Sequence, residues 1–377
     1  MGGNVSFRQF LLLEGGNVTI ADTIRADSID LTQFERNDVV EVIKAGLHAI
    51  NDKFEKKNGI AIWQQGQLNS GKIFSGSARH LFDENIPTEE FVKHKSKVGD
   101  VDTMVDLELK DQLEKFLDAN KGKTFEGLTL IGWKKSADQF ITLWKTKPFN
   151  IKVQVDLEFV AFIDGKPSEW ANFSHSSDWN DIKSGVKGAF HKILMMSLLA
   201  PKAEVGIEQM IRKDKDTGQP REREFYGTEH AISLKGIRKK YKKLEGETRE
   251  IKGLDGQTKT VPVFKATNSK NFIEDINLIF KAAFGSNSTP KEKEQFKSFN
   301  GIVKIIKDKM SPKQQQAVFN KFFDKLFGEG AQGLYLQDPQ RDMDEKMVAI
   351  RSLSKGLGLS LSPEQITMRN EYVAKYK

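Results

Sequence analysis

The sequence predicts an α+β protein: strands, one with paired carboxylates on one face, together with helices, followed by an α-helical C-terminal domain. Three observations carry this prediction. Runs with period-two alternation cluster between residues 98 and 163, and helical periodicity flanks them. Four N-cap–proline pairs then punctuate the last ninety residues, namely Thr289-Pro290, Ser311-Pro312, Asp338-Pro339 and Ser362-Pro363. Finally, "GSNSTP" at Gly285–Pro290 reads as a linker. The expected division is residues 1–285, whose last part (about 201–285) is a basic extension, and residues 286–377.

The elements follow in chain order. Residues 1–35 are irregular, with short strands expected at Val18–Ile20 and Ile29–Leu31; the "GGNV" that occurs twice there is too short to be a repeat architecture. Val39, Ile43, Leu47, Ile50 and Phe54 recur at helical spacing, so Asn37–Lys57 is a helix that Gly59 can end. Ile60–Trp63 and Lys72–Phe74 are expected as strand pieces. In Val98–Val105, Val101, Thr103 and Val105 share one face while Asp100, Asp102 and Met104 share the other. A helix follows over Leu109–Ala119, then strands over Leu128–Trp133, Gln139–Trp144 and Asn150–Ile163. In the last, Gln154, Asp156 and Glu158 line one face. Asp181–Leu199 is expected as one helix. From Lys202 to Pro262 the chain turns polar, and "RKKYKK" at Arg238–Lys243 reads as a basic helix end before a hairpin at "DG". A helix over Phe272–Phe284 and four more helices complete the chain. Glu292, Gln314 and Gln365 supply capping boxes.

Composition narrows the chemistry. The chain of 377 residues has no cysteine, which excludes disulfides and thiolate zinc sites and suggests a reducing compartment. Its six histidines are scattered, so a metal would need hard oxygen ligands. A net charge of +7 gives mild attraction to polyanions. The apolar run in "FLLLEGG" is too short for a signal-peptide core and no run approaches a membrane span, so a cytoplasmic protein with no membrane partner is expected.

Asp100 and Asp102 point the same way from one strand, and two like charges side by side repel unless a cation lies between them. Magnesium suits such a pair, because it takes a few carboxylates and shares its other positions with water and phosphate. A third carboxylate from another strand completes the set. Asp156 fits, with Glu158 on the same face as the competitor. Asp106 shares the Asp100 face but is placed to cap the next helix. Upstream, Ser75-Gly76-Ser77 precedes "ARHLFD", a short helix. Gly76 lets a phosphate approach the backbone, Ser77 adds a hydroxyl, and Arg79 follows as a cation. The plain alternative for the aspartate pair is a solvated face of an edge strand.

With Gly76-Ser77, Asp100-Val101-Asp102 and Asp156 in that order, the chain resembles the DNA polymerase β-like nucleotidyltransferase superfamily over roughly residues 60–200. The resemblance implies a polymerase β-like nucleotidyltransferase core, a small mixed sheet with helices on one face, and transfer of an NMP from an NTP (ATP or CTP) with two Mg2+ ions. Asp100, Asp102 and Asp156 would be catalytic and metal-binding, and Gly76 and Ser77 would hold the β- and γ-phosphates. It also implies cations on the helix after the third carboxylate, where Lys187 and Lys192 are candidates; solvated lysines on a packed helix are the alternative. Between Ser77 and Asp100 lie 22 residues, longer than in the family, and "DENIPTEEFVKHKSK" reads as a surface insertion. His175 and His191 read as ordinary polar residues. In "RKKYKK" the cations can grip a phosphate backbone while Tyr241 stacks on a base, or the segment is a solvated helix face. The expected acceptor is an RNA 3′ end of tRNA type. A small-molecule or protein acceptor, a cyclic or oligonucleotide synthase, and an inactive nucleic-acid-binding or structural protein stay open.

Overall fold

The computed structural model describes residues 19, 20, 24–136, 138–252, 256–267, 269, 271–328 and 339–376. "FLLLEGG", Val18, Asp255 and Asp338 lie outside the described residues. Thr19–Ile20 pairs with Ile24–Arg25, and Ile29–Asp30 with Lys97–Val98. Among the described residues no helix is long and apolar enough to cross a membrane.

Helix α1 spans Arg36–Asn58, and Gly59 closes it in the left-handed conformation at φ 72°. Its apolar stripe, Val39 through Phe54, is buried against the first core. The expected strand at Ile60–Trp63 does not form. Trp63 is instead buried in a coil, where its indole N–H donates to the Met104 carbonyl at 3.1 Å. Helices α2 (Ala78–Leu81) and α3 (Thr88–His94) follow. The second overturns the surface insertion expected here. Phe91 on α3 is fully buried and stacks on Trp179 at 5.6 Å, and Glu90 accepts from the Trp179 indole. Burying one phenylalanine stabilises by about 1.5–3 kcal/mol, enough to hold α3 against the body.

The central sheet contains β1 (Asp100–Asp106), β2 (Thr124–Phe125), β3 (Leu128–Ser136), β4 (Gln139–Thr146) and β5 (Lys152–Val160), in the order β1-β5-β4-β3-β2. Helix α4 (Lys110–Asn120) joins β1 to β2. Pairing between β1 and β5 is parallel and the rest is antiparallel, so the sheet is mixed. Val101, Thr103 and Val105 of β1 and Val153, Val155, Leu157 and Phe159 of β5 are buried on the side of α1 and α4. The opposite face of β5 is buried too, with Gln154, Asp156 and Glu158 at 1%, 1% and 8% exposure. Carboxylates seldom sit this deep unless something neutralises them.

On that side Met104 packs with Ala171 and Glu158 meets His175, and a second core is built from residues after 169. Helix α5 (Glu169–Ser174) leads into α6 (Trp179–Lys183) and α7 (Gly188–Ser197). The single helix expected over Asp181–Leu199 is therefore two. Gly185 takes φ +79°, its N–H bonds the Ile182 carbonyl, and Val186 N–H bonds the Asp181 carbonyl. That is the paired-bond ending of a helix, and it places Lys183 and Lys187 on different elements.

A second sheet contains β6 (Glu204–Lys213), β7 (Pro220–Gly227), β10 (Tyr241–Lys252) and β11 (Thr258–Ala266), and β8 (His230–Ser233) pairs with β9 (Gly236–Lys239). "RKKYKK" thus lies on strands and the residue between them, not on a helix. Tyr241 is 7% exposed and packs edge-on against Phe225 at 4.3 Å, so it is not placed to stack on a base. β10 is an edge strand, and its lysines and glutamates blunt that edge.

Helices α8 (Ile276–Phe284), α9 (Pro290–Gln295), α10 (Phe299–Lys309), α11 (Pro312–Phe327), α12 (Pro339–Leu357) and α13 (Pro363–Tyr376) follow. Prolines start α9, α11, α12 and α13. The capping boxes of Thr289 with Glu292, Ser311 with Gln314, and Ser362 with Gln365 all form. α10 was not expected; Ser298 caps it by accepting from Gly301 N–H. Packing does not pause at residue 285. Phe190 and Ile193 of α7, Phe280 of α8 and Phe299, Phe322 and Leu353 of the later helices share one core.

Inside that bundle Lys346 meets Asp342 at 3.0 Å, both 1% exposed, and the Tyr372 hydroxyl bonds both. Burial pulls the Lys346 ammonium down to about 8, against the pull of Asp342. Lys346→Met alone leaves a buried carboxylate and should cost about 3–5 kcal/mol, whereas Asp342→Leu with Lys346→Met should be neutral or stabilising. Urea unfolding of both variants checks this. Equal destabilisation would show that the pair holds the bundle by more than mutual neutralisation.

Candidate metal centre

The site is built on the edge of the central sheet. Register places Asp102 beside Asp156 across the parallel β1–β5 pair, with Asp100 beside Gln154. One oxygen from each of Asp100, Asp102 and Asp156 lies within 4.8 Å of the others. Asp156 is buried at the back, while Asp100 and Asp102 are partly exposed and open the cluster to solvent. The Gln154 side-chain amide donates to both Asp156 oxygens, at 3.1 and 3.0 Å.

The charges are not at ease. Burial, and then the Asp100 charge, push the Asp102 and Asp156 carboxyls well above the usual carboxylate range. Burial raises Asp100 as well, although Lys95 opposes it. Three hard oxygen donors converging this closely, with raised proton affinity, fit a divalent cation of the magnesium type. The Asp100–Asp102–Asp156 cluster could hold a metal ion.

Ser75-Gly76-Ser77 lies against the same strand. Met104 N–H bonds the Ile73 carbonyl at 2.7 Å and Ser75 N–H bonds the Asp102 carbonyl at 3.0 Å. Gly76 takes φ +54°, and a Cβ there would lie 2.6 Å from Asp102 Oδ2. Glycine is needed at this position for both its backbone and its room. Ser77 precedes α2, and Arg79 on that helix is partly exposed.

Glu158 has other work. Its Oε2 accepts from Ser75 Oγ at 2.5 Å and lies 3.9 Å from His175 Nε2. Glu158 thus anchors the turn from below and stands outside the oxygen cluster. His175 bonds Ser174 Oγ at 2.9 Å, and burial lowers its pKa. Asp106 accepts from Glu108 N–H at the start of the next turn.

Cations ring the carboxylates. Lys192 on α7 is 9% exposed and favours the charged forms of Asp100 and Asp102. Lys187, just before α7, makes a 2.6 Å ion pair with Glu345 of α12, which opposes the lowering of its pKa by burial. Two contributors were not foreseen from the sequence. Lys95, brought in by α3, is drawn down to about 8 by burial and by Lys187, with Asp100 and Asp102 pulling the other way. Glu345 reaches the site from more than two hundred residues beyond β1. The buried Phe91 within "TEEFVKHK" was the available signal for Lys95; nothing local marks Glu345.

Compared with protein-family models, curated proteins and solved structures, the chain matches none.

Proposed function

We propose that the protein is a magnesium-dependent nucleotidyltransferase with a polymerase β-like core, moving an NMP from ATP or CTP to a hydroxyl, most plainly an RNA 3′ end. The observation that supports this best is the convergence of Asp100, Asp102 and Asp156 directly beside the Gly76 turn, where a side chain would crowd Asp102. Asp100, Asp102 and Asp156 would hold the magnesium, which would supply alignment of the attacking hydroxyl with the α-phosphate and stabilisation of the leaving pyrophosphate. The chain's own groups do the rest. Asp100 and Asp102, which are partly exposed, would meet the incoming nucleotide, and Asp156 would hold the catalytic metal and help deprotonate the acceptor. The backbone at Gly76 and Ser77 approaches the β- and γ-phosphates, with Arg79 on the adjoining helix. Lys95 and Lys192 offset the added negative charge. Lys187 contributes only when it exchanges Glu345 for phosphate.

Incubation with α-phosphate-labelled ATP or CTP and magnesium, with and without RNA, tests the reading. Label on RNA with pyrophosphate release is the expected outcome. Labelled product without added acceptor would point to a cyclic or oligonucleotide synthase, and no product with any of the four NTPs would remove the transferase reading.

A further inference from the structure

A second concave feature lies away from the carboxylates. A cavity of about 920 Å³ opens between the second sheet and α11. On the helix wall, Lys313, Ala317, Lys321 and Lys325 recur every four residues, so they form one stripe. The stripe runs about 18 Å along the helix axis. Facing it are Lys240, between β9 and β10, and Arg223 on β7. Acidic groups are present as well: Glu208 is taken up by Arg223 at 2.7 Å, Asp324 adjoins Lys321, and Glu224 is exposed. Five cations against three carboxylates leave the lining positive. Burial, and then the charges of Lys321 and Lys240, pull Lys325 down to about 8. Like charges one turn apart are mutually destabilising and favour an anion between the walls.

The shape of the stripe indicates the kind of anion. A free triphosphate is compact and needs a cluster of cations, whereas this row is linear and open along one side. At its rim Tyr226 is 67% exposed, a large ring displayed where a base could stack. Cations tracking a line beside an exposed aromatic describe the way single strands are held without reading their sequence. Helix α7 links the cavity to the metal centre. Lys192 acts on the aspartates and Met196, one turn later on the same face, is in the cavity wall, about 6 Å further along the axis.

We propose that this cavity binds a single-stranded nucleic acid, with Lys240, Lys313, Lys321 and Lys325 on its phosphates and Tyr226 on a base. That the bound strand is the acceptor rests on the transferase reading; the binding itself does not.

The test is direct binding of a short fluorescent single-stranded RNA to the full chain, by anisotropy over a salt series and without NTP. The triple variant Lys313→Glu, Lys321→Glu, Lys325→Glu should bind at least about tenfold more weakly at low salt, and its log–log salt slope should fall by about two. Tyr226→Ala should lose about fivefold or more with the slope unchanged. Lys321→Gln with Lys325→Gln, a milder change on the same face, should weaken binding in the same direction and guards against misfolding of the triple variant. Asp100→Asn with Asp102→Asn should keep wild-type RNA affinity; if it does while transfer is absent in all proteins, only the catalytic reading falls. Wild-type affinity and salt slope in the triple variant overturn the proposal. So does a wild-type protein that binds labelled ATP through these lysines but no RNA at low salt.

Discussion

Asp102→Asn should lower nucleotidyl transfer by about 10³-fold or more while leaving the fold intact, because a metal ligand stabilises several kcal/mol of developing charge. The structure also fixes the sign of the stability change. Asp102 and Asp156 hold their protons to higher pH in the folded protein than in the unfolded chain. Between an unfolded value near 4 and the raised folded values, the native state binds more protons, so metal-free stability falls as pH rises. Asparagine removes one charge from the cluster. The metal-free variant should therefore melt at the wild-type temperature or above it, with the larger gain at pH 8 than at pH 5. Magnesium should raise the melting temperature of the wild type and not of the variant. Asp156→Ala should likewise abolish transfer, whereas Glu158→Gln, altering a group bonded to Ser75 and outside the cluster, should only reduce it. Full turnover in Asp102→Asn would end the assignment.

The second large effect is expected at Gly76. Alanine there must adopt φ near +54°, at a cost of about 1–2 kcal/mol, and its methyl would meet Asp102 Oδ2 at 2.6 Å. Either the turn lifts from β1 or the Asp102 carboxylate swings away. A displacement of this order costs about 10²-fold in rate where geometry is the source of catalysis. Gly76→Ala should show weaker magnesium binding together with lower kcat, and Ser77→Ala, which removes one hydroxyl from an otherwise intact turn, a smaller loss. Wild-type magnesium affinity in Gly76→Ala would mean that the turn and the carboxylate are not coupled.

The legibility of these features from sequence was uneven for physical reasons. Strands β1 and β5 were plain because one face is apolar apart from Thr103, and that alternation also put Asp100, Asp102 and Asp156 on a common side. Their register could not be read, since pairing across fifty residues leaves no local trace. Helix starts at Thr289, Ser311 and Ser362 were plain because capping is local chemistry. The break at Gly185 was equally local: a glycine followed by an apolar residue ends α6 just as Gly59 ends α1, but the periodicity of the flanking residues masked it. The start of β10 was misread because "RKKYKK" sets five cations around one tyrosine and imitated a basic helix, whereas β10 and β11, the arms of the hairpin expected at "DG", do pair antiparallel. α3 was misjudged because Phe91 and Val92 are its only apolar residues, and it was through that misreading that Lys95 escaped notice. Glu345 belongs to tertiary structure alone, since only the shared core of α7 and the C-terminal helices brings it to Lys187.

The central claim is that Asp100, Asp102 and Asp156 together hold a divalent cation. Anomalous diffraction from crystals of the protein soaked with Mn2+ tests it most directly. The account predicts density bounded by oxygens of all three aspartates, lost in Asp102→Asn. Manganese bound at Glu158 and not at Asp156, or no manganese at the cluster at saturating concentration, would contradict it.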